Sequence, residues 1–513
     1  MYMNNTRLTI FDLYRDARPC VFIFIFLLFS NIPYSVIAQN GSDAKTCMSA
    51  YINEFVNDTT FRHAGISICF RDMESGDIIA HYNKNMALGS ASVMKLVTTA
   101  VALETLGPDF RFSTRIGYVG NFTPGDSILK GCIVIKGGAD PTILSEYFPD
   151  HNTDIIEKWA DAIVNAGIKK VEGSVLADAT IFNYHPAPGG WNWSDLGNYY
   201  GAGSHGICIF DNMYRIHFKT GSIGTRPEIK GIDPDIPGLI IENRLISYGN
   251  SDNGYVYLEP YGDHAVIRGE IPHDRDDFVL KASIPDPPLL TGILLQKELE
   301  KRGIIISKKT TSLRITPSLA EEYRSSEKVI ITTSWSPPLS DIISVTNTES
   351  VNLFAEQLIK YIGFANTMKE FSSKGSGLKA INEYLNSSLD STEGLYIVDG
   401  SGLSRSNALS ASFITGLLQY MRTEGRFAEY YYESLPEPGK SGTLENYFND
   451  PVFEGRLRAK SGTSTRIRNY AGYLEVSPGR EVIFAVLVNN FDCSSSEVTA
   501  RVEKLLKGVI EDH

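Results

Sequence analysis

Ser92-Val-Met-Lys95 sets a hydroxyl and an amine three residues apart at the head of a helical pattern. Val93, Leu96, Val97, Ala100 and Leu103 recur at three- and four-residue steps, and Gly107-Pro108 supplies a stop. Ser92 is therefore predicted to open a helix, with Lys95 on the same face one turn on. A helix N-terminus offers unpaired N–H groups and a partial positive charge. An amine so placed can take the hydroxyl's proton, which a serine nucleophile needs when no histidine serves it. The plain alternative is that Ser90 or Ser92 is an N-cap and Lys95 a solvated first-turn residue. Four other Ser-x-x-Lys runs occur. Ser42 has no room for a strand before it, and Ser127 begins a strand-like run in which Lys130 faces the other way. Ser325 reads as loop, and Ser376 as a Ser/Gly-rich turn.

Such a nucleophile calls for a second proton relay and a cationic site for an anionic substrate group. Ser350-Val-Asn352 supplies the first type, where a turn runs into an amphipathic helix; helix capping is the plain alternative for Ser350. Lys460-Ser-Gly-Thr463 supplies the second, on a predicted strand. Gly462 lacks a side chain where a substrate backbone would approach, and the N–H of Thr463 can join that of Ser92 as an oxyanion hole. The catalytic candidates are thus Ser92, Lys95, Ser350, Asn352 and Lys460, with Ser461, Gly462 and Thr463 as substrate-binding residues. Lys219-Thr-Gly221, Ser251-Asp-Asn253 and Lys440-Ser-Gly442 repeat the letters without the right order or element beneath them.

Two N-terminal strands, at about 64–70 and 77–82, and three C-terminal ones, at 456–461, 468–476 and 481–489, point to one antiparallel sheet with helices packed on it. Helical patterns fall at 350–363, 373–388, 409–423 and 496–510. The middle, 112–325, reads as strand-rich inserted domains within a catalytic domain formed by 39–111 and 326–513. Residues 183–205, rich in Gly, Pro, Trp and Tyr, read as an ordered functional loop. Residues 1–38 read as a signal peptide: Arg15 and Arg18 precede the short apolar run Val21–Phe29, and Val36-Ile-Ala38 offers a cleavage site. An uncleaved anchor is the alternative.

The chain has 513 residues, 42% of them hydrophobic, and a net charge of -12, with no basic stripe, which argues against a nucleic-acid partner. Five scattered cysteines follow the targeting segment, an odd count that makes no disulfide framework. No Cys-x-x-Cys or His-Glu-x-x-His pair is present, so neither metal nor cofactor is expected.

The order S-x-x-K, S-x-N, K-[ST]-G resembles that of the penicillin-binding, active-site serine D,D-peptidases. The long gap between Lys95 and Ser350 is similar to that of the class C low-molecular-mass group, the D-alanyl-D-alanine carboxypeptidase/endopeptidase family. Gly138–Thr142, Ala187–Trp191, Asp399–Ser404 and Gly439–Leu444 also look like that family, so Lys440 belongs to a family loop. Ser461 stands where Thr is commoner and keeps the hydroxyl.

The resemblance implies an α/β (α+β) transpeptidase-like fold, peptidoglycan stem peptides as substrate, β-lactams as covalent inhibitors, no cofactor, and a periplasmic location. It implies that Lys460, Ser461 and Thr463 hold a terminal carboxylate, with Arg466 or Arg468 helping. Asp178 would be either a contact for a stem-peptide amine or a structural aspartate. A β-lactamase or esterase on the same scaffold, and a non-catalytic penicillin-sensing or peptidoglycan-binding protein, are the rival readings.

Overall fold

The three C-terminal strands alternate so strictly that each of their faces must be covered. Ile483, Ala485 and Leu487 join one buried cluster, while Val482, Phe484, Val486 and Val488 join another. The computed structural model describes residues 47–512; the expected signal peptide lies outside them. The sheet runs Leu457–Ser464, Ile467–Ser477, Arg480–Asn489, Gly65–Asp72, Ile78–Tyr82, every neighbour antiparallel. This is the sheet expected from the five strand-like runs. Helices 47–56 and Ser495–Glu511 cover one face. Ala411–Thr423 packs on the other.

Met94–Leu106 is the helix predicted to follow Ser92. It is buried all round from Met94 to Glu104, with no solvent face. It ends at Gly107, φ +83°, whose N–H bonds to the Leu103 carbonyl at 2.9 Å. Asn352–Thr367 and Leu339–Thr348 pack against it.

The middle of the chain is strand-rich, as expected, with its own core around Trp159, Ile133, Leu295 and Tyr214. A seven-stranded mixed sheet contains Ser113–Thr123 and Ile128–Lys136, and two three-stranded sheets stand beside it. Strand Lys328–Trp335 pairs antiparallel with Ser113–Thr123, so this sheet draws on both flanks of the insert.

Three local readings change. Leu339–Thr348 is a helix that the sequence pattern did not reveal, because prolines open it and β-branched residues fill it. Ser325 ends the helix Leu319–Ser325 rather than lying in a loop. Ser376 lies in the first turn of Lys374–Ser388, where it and Ser373 cap each other's backbone N–H groups.

One buried side chain ties the sheet to the turn before Ser92. Asn469 Nδ2 donates to the carbonyls of Gly89 at 2.8 Å and Ser90 at 3.0 Å, and its Oδ1 accepts Val488 N–H at 3.1 Å. Asn469→Leu removes one partner from each of these groups, leaving Gly89 O to Asn489 and Ser90 O to Val93 N–H, and is expected to cost about 1–3 kcal/mol. Denaturant unfolding measures it, and a curve superimposing on wild type would contradict this packing.

Candidate active site

Ser92 sits in a single 3-10 turn, Ala91–Val93, that runs straight into the Met94–Leu106 helix. Ala91 has φ +42°, a strained value for a residue with a Cβ. The turn is held by Asn469, by Asn489 Nδ2 donating to Gly89 O at 3.1 Å, and by Ser90 N–H donating to Asn407 O at 3.2 Å. Ser90 makes no capping bond, and its buried hydroxyl has no partner among the described residues. The capping alternative therefore has no support here.

Lys95 is wholly buried. Its Nζ lies 3.0 Å from Ser92 Oγ, 2.6 Å from Asn352 Oδ1 and 2.8 Å from the Ser401 carbonyl oxygen. Two of these oxygens can only accept. A neutral amine has two N–H groups and one lone pair, so the two carbonyls take the hydrogens and the lone pair is left for the Ser92 hydroxyl. Burial brings the Lys95 pKa down to about 7, against the opposing pull of Asp399 and Glu356.

The second motif straddles a break between two helices. Ser350 has φ +59°, Val351 takes the cap position, and Asn352 begins the helix Asn352–Thr367. Asn352 Nδ2 donates to Tyr200 O at 2.8 Å, which ties the expected functional loop to the site. Ser350 is half-buried and makes no hydrogen bond to any described residue, so it does not cap the helix.

Strand Leu457–Ser464 lies against the nucleophile turn. A Cβ on Gly462 would stand 2.9 Å from Ser90 O, 3.0 Å from Val93 N and 3.2 Å from Ser92 N. The close approach expected of substrate is thus made by the protein's own backbone. Lys460, on this strand, is wholly buried, its Nζ donating to Ser461 O at 2.9 Å. Burial first, then the charges of Lys95 and Arg468, hold its pKa well below the usual lysine range. Ser461 Oγ donates to Thr443 Oγ1 at 2.9 Å, which gives the Lys440 loop a supporting role. Thr463 is exposed in the cleft, with Arg468 donating to its hydroxyl.

A cleft of about 380 Å³ is lined by Ser92, Asn352 and Thr463 on one side and by Asp195, Tyr200 and Tyr257 of the insert on the other. Lys95, Ser350, Lys460, Ser461 and Gly462 do not line it; Lys95 reaches it through its bond to Ser92. A larger groove of about 830 Å³, near Arg71 and Tyr420, contains none of these residues.

Several residues are placed elsewhere. Arg466 turns away to the carbonyls of Asn490 and Phe491, both at 2.9 Å. Asp178 is buried in the insert, bonded to Lys136 at 3.0 Å and Tyr323 at 2.7 Å, and is a structural aspartate. Lys219 and Lys440 pair with carboxylates at the surface, Asp276 at 3.6 Å and Glu437 at 2.8 Å.

The loop Asp399–Ser404 is the chief omission from the sequence-based site. Asp399 accepts from Gly402 N at 2.8 Å, Ser404 N at 2.7 Å, Asn407 Nδ2 at 2.6 Å and Trp191 Nε1 at 2.9 Å. Gly402 has φ +84°, and a Cβ there would come 1.8 Å from Ala91 O. The Asp-Gly-Ser-Gly run is the signal that marks this turn.

The sequence profile of the D-Ala-D-Ala carboxypeptidase 3 (S13) family matches residues 48–509. The chain is 28% identical to a D-alanyl-D-alanine carboxypeptidase of an Actinomadura species, covering 86% of this chain and 80% of that one. It is 32% identical to a carboxypeptidase of Mycobacterium tuberculosis, covering 79% and 72%. The crystal structure of penicillin binding protein 4 from Haemophilus influenzae superposes with a TM-score of 0.74 at 20% identity, covering 91% of this chain and 97% of the other.

The Lys95 amine must be neutral to accept a proton from Ser92. With its pKa at about 7, acylation of Ser92 is expected to fall as the pH drops below that value. The slope should approach about tenfold per pH unit, read from stopped-flow acylation. A flat profile from about pH 5 to 8 would contradict the assignment.

Proposed function

The chain belongs to the D-Ala-D-Ala carboxypeptidase 3 family, and on that premise we propose that Ser92, Lys95, Ser350, Asn352 and Lys460 are its catalytic residues. It is a serine-type D,D-peptidase of the penicillin-binding kind, acting on peptidoglycan peptides that end in D-Ala-D-Ala. The observation that carries the residue assignment is the Lys95 amine held between two carbonyl oxygens and the Ser92 hydroxyl.

Lys95 takes the Ser92 proton as Oγ bonds to the carbonyl carbon of the penultimate D-Ala. The N–H groups of Ser92 and Thr463 stabilise the oxyanion. As the C–N bond breaks, Ser350, which has no hydrogen-bond partner among the described residues, relays the proton from Lys95 to the departing amine. A terminal D-Ala and a cross-linked amine leave by the same step. Water then attacks the ester carbonyl and frees Ser92. Thr463 holds the terminal carboxylate, joined by Ser461 once its O–H turns from Thr443, and Lys460 supplies positive potential from within the same strand; an arriving anion draws its pKa back up. Gly462 lets the strand close on the nucleophile turn. Penicillin acylates Ser92 by the same attack, but its amine stays tethered in the opened ring and blocks water.

We assign residues 47–111 and about 336–512 to the catalytic domain. The 328–335 strand goes with the insert because it pairs with Ser113–Thr123. The insert forms a wall that narrows the cleft. The enzyme acts at the cell envelope, and we place it in the periplasm on the leader-like sequence of residues 1–38.

Fluorescent penicillin should label the wild-type protein stoichiometrically and Ser92→Ala not at all. Lys460→Ala should slow labelling about a hundredfold, while Lys219→Ala and Lys440→Ala stay within about twofold. Equal labelling of wild type and Ser92→Ala would remove Ser92 from the mechanism, and rapid turnover of penicillin would point instead to a β-lactamase.

A further inference from the structure

Glu356 is a carboxyl where the core has no place for one. It lies one turn beyond Asn352 in the helix Asn352–Thr367 and is 1% exposed. A buried carboxyl is costly, and a position that merely filled space would be served as well by an apolar residue of similar size. Its Oε1 accepts the N–H of Ser401 at 2.8 Å. The carbonyl of that same Ser401 accepts Lys95 Nζ at 2.8 Å.

We propose that Glu356 is a positioning residue for Lys95, fixing the Ser401 peptide so that its carbonyl holds the amine with its lone pair on Ser92. Residues four apart share a helix face. One rigid element therefore sets both carbonyl acceptors of the amine, Asn352 directly and Ser401 through Glu356. The loop is clamped from its other side by Asp399, and Thr98 of the nucleophile helix donates to Gly400 O at 2.8 Å. The inference rests on the proposed role of Lys95 as base.

The charged groups around the pair are few. Asp399 comes from the loop and Lys460 from the strand, and Lys360 lies one turn further along the same helix. Burial first, then Asp399, pushes the Glu356 pKa up to about 8. Below that pH Glu356 is an uncharged acid whose carbonyl oxygen still accepts the Ser401 N–H, so a neutral amide can stand in for it.

The test compares Glu356→Ala and Glu356→Gln in the full-length protein, reading Ser92 acylation by penicillin across pH with melting curves as a folding check. Glu356→Ala should slow acylation about tenfold or more at pH 8 with the penicillin binding constant nearly unchanged. Glu356→Gln keeps an oxygen for the Ser401 N–H; it should recover the rate to within about threefold, with the acid limb near its wild-type position because the carboxyl it replaces is itself uncharged there. An Ala variant as fast as wild type overturns the proposal, as do Gln and Ala variants equally slow. If Glu356→Ala does not fold, Glu356→Met, of similar size and without an acceptor, takes its place, and a Met variant as fast as Glu356→Gln refutes the inference. Lys95→Met separates the two levels. If it still acylates at the wild-type rate, the base assignment falls; if it is inert while both Glu356 variants behave as wild type, only the positioning role falls.

Discussion

An amine shut away from water, between two carbonyl oxygens and a hydroxyl, is the arrangement to which the other features of this site refer. Lys95 supplies the amine from the nucleophile helix, Asn352 one acceptor from a helix far along the chain, and Ser401 the other from a loop farther still. Moving its pKa from 10.5 to about 7 disfavours the charged form by on the order of 5 kcal/mol. The sign for stability follows. The folded state binds fewer protons than the unfolded one between about pH 7 and 10.5, so this lysine makes the fold more stable as pH rises through that window. At and below neutrality the site is held against that penalty by the packing around it.

Two glycines let that packing close. Gly462 brings the strand against the Ser90–Val93 backbone, and Gly402 brings the Asp399 loop against Ala91 O. Ala91, at φ +42°, is pressed between them and pinned from the sheet by Asn469 and Asn489. The strained turn persists because separate elements determine it at once. The position of Ser92, the proposed nucleophile, is thereby fixed by backbone contacts rather than by its own side chain.

Much of this was legible in the chain. The buried helix after Ser92 announced itself by periodicity and by Gly107, and the central sheet by five runs of alternating residues. The three motifs stood out because each had a helix or strand beneath it. The Asp399–Ser404 run showed only as a family-like stretch without a role, and Glu356 not at all, since their roles exist only once Ser401, Asn352 and Lys95 meet, and no spacing rule links positions so far apart. Leu339–Thr348 was hidden by residues with weak helix preference, whose burial against the nucleophile helix overrides it. The sequence left open whether Asp178 was structural and which of Arg466 and Arg468 served the site, for a common reason. Sequence shows that a charge is present, but not whether a carbonyl or a lysine has already claimed it.

The insert enters the same architecture through backbone as well as side chains. Tyr200 O receives Asn352 Nδ2, so the wall of the cleft is bonded to the residue that holds the Lys95 amine. Trp191 reaches from the same loop to Asp399. Catalytic and inserted parts thus share one hydrogen-bonded frame around Lys95. The most direct test of that frame is an NMR titration of the lysine side chains, with the Lys95 resonance assigned by its loss in Lys95→Met. A midpoint at about 7 is what the burial of this amine requires. A midpoint at about 10, the value of a solvated lysine, would contradict it.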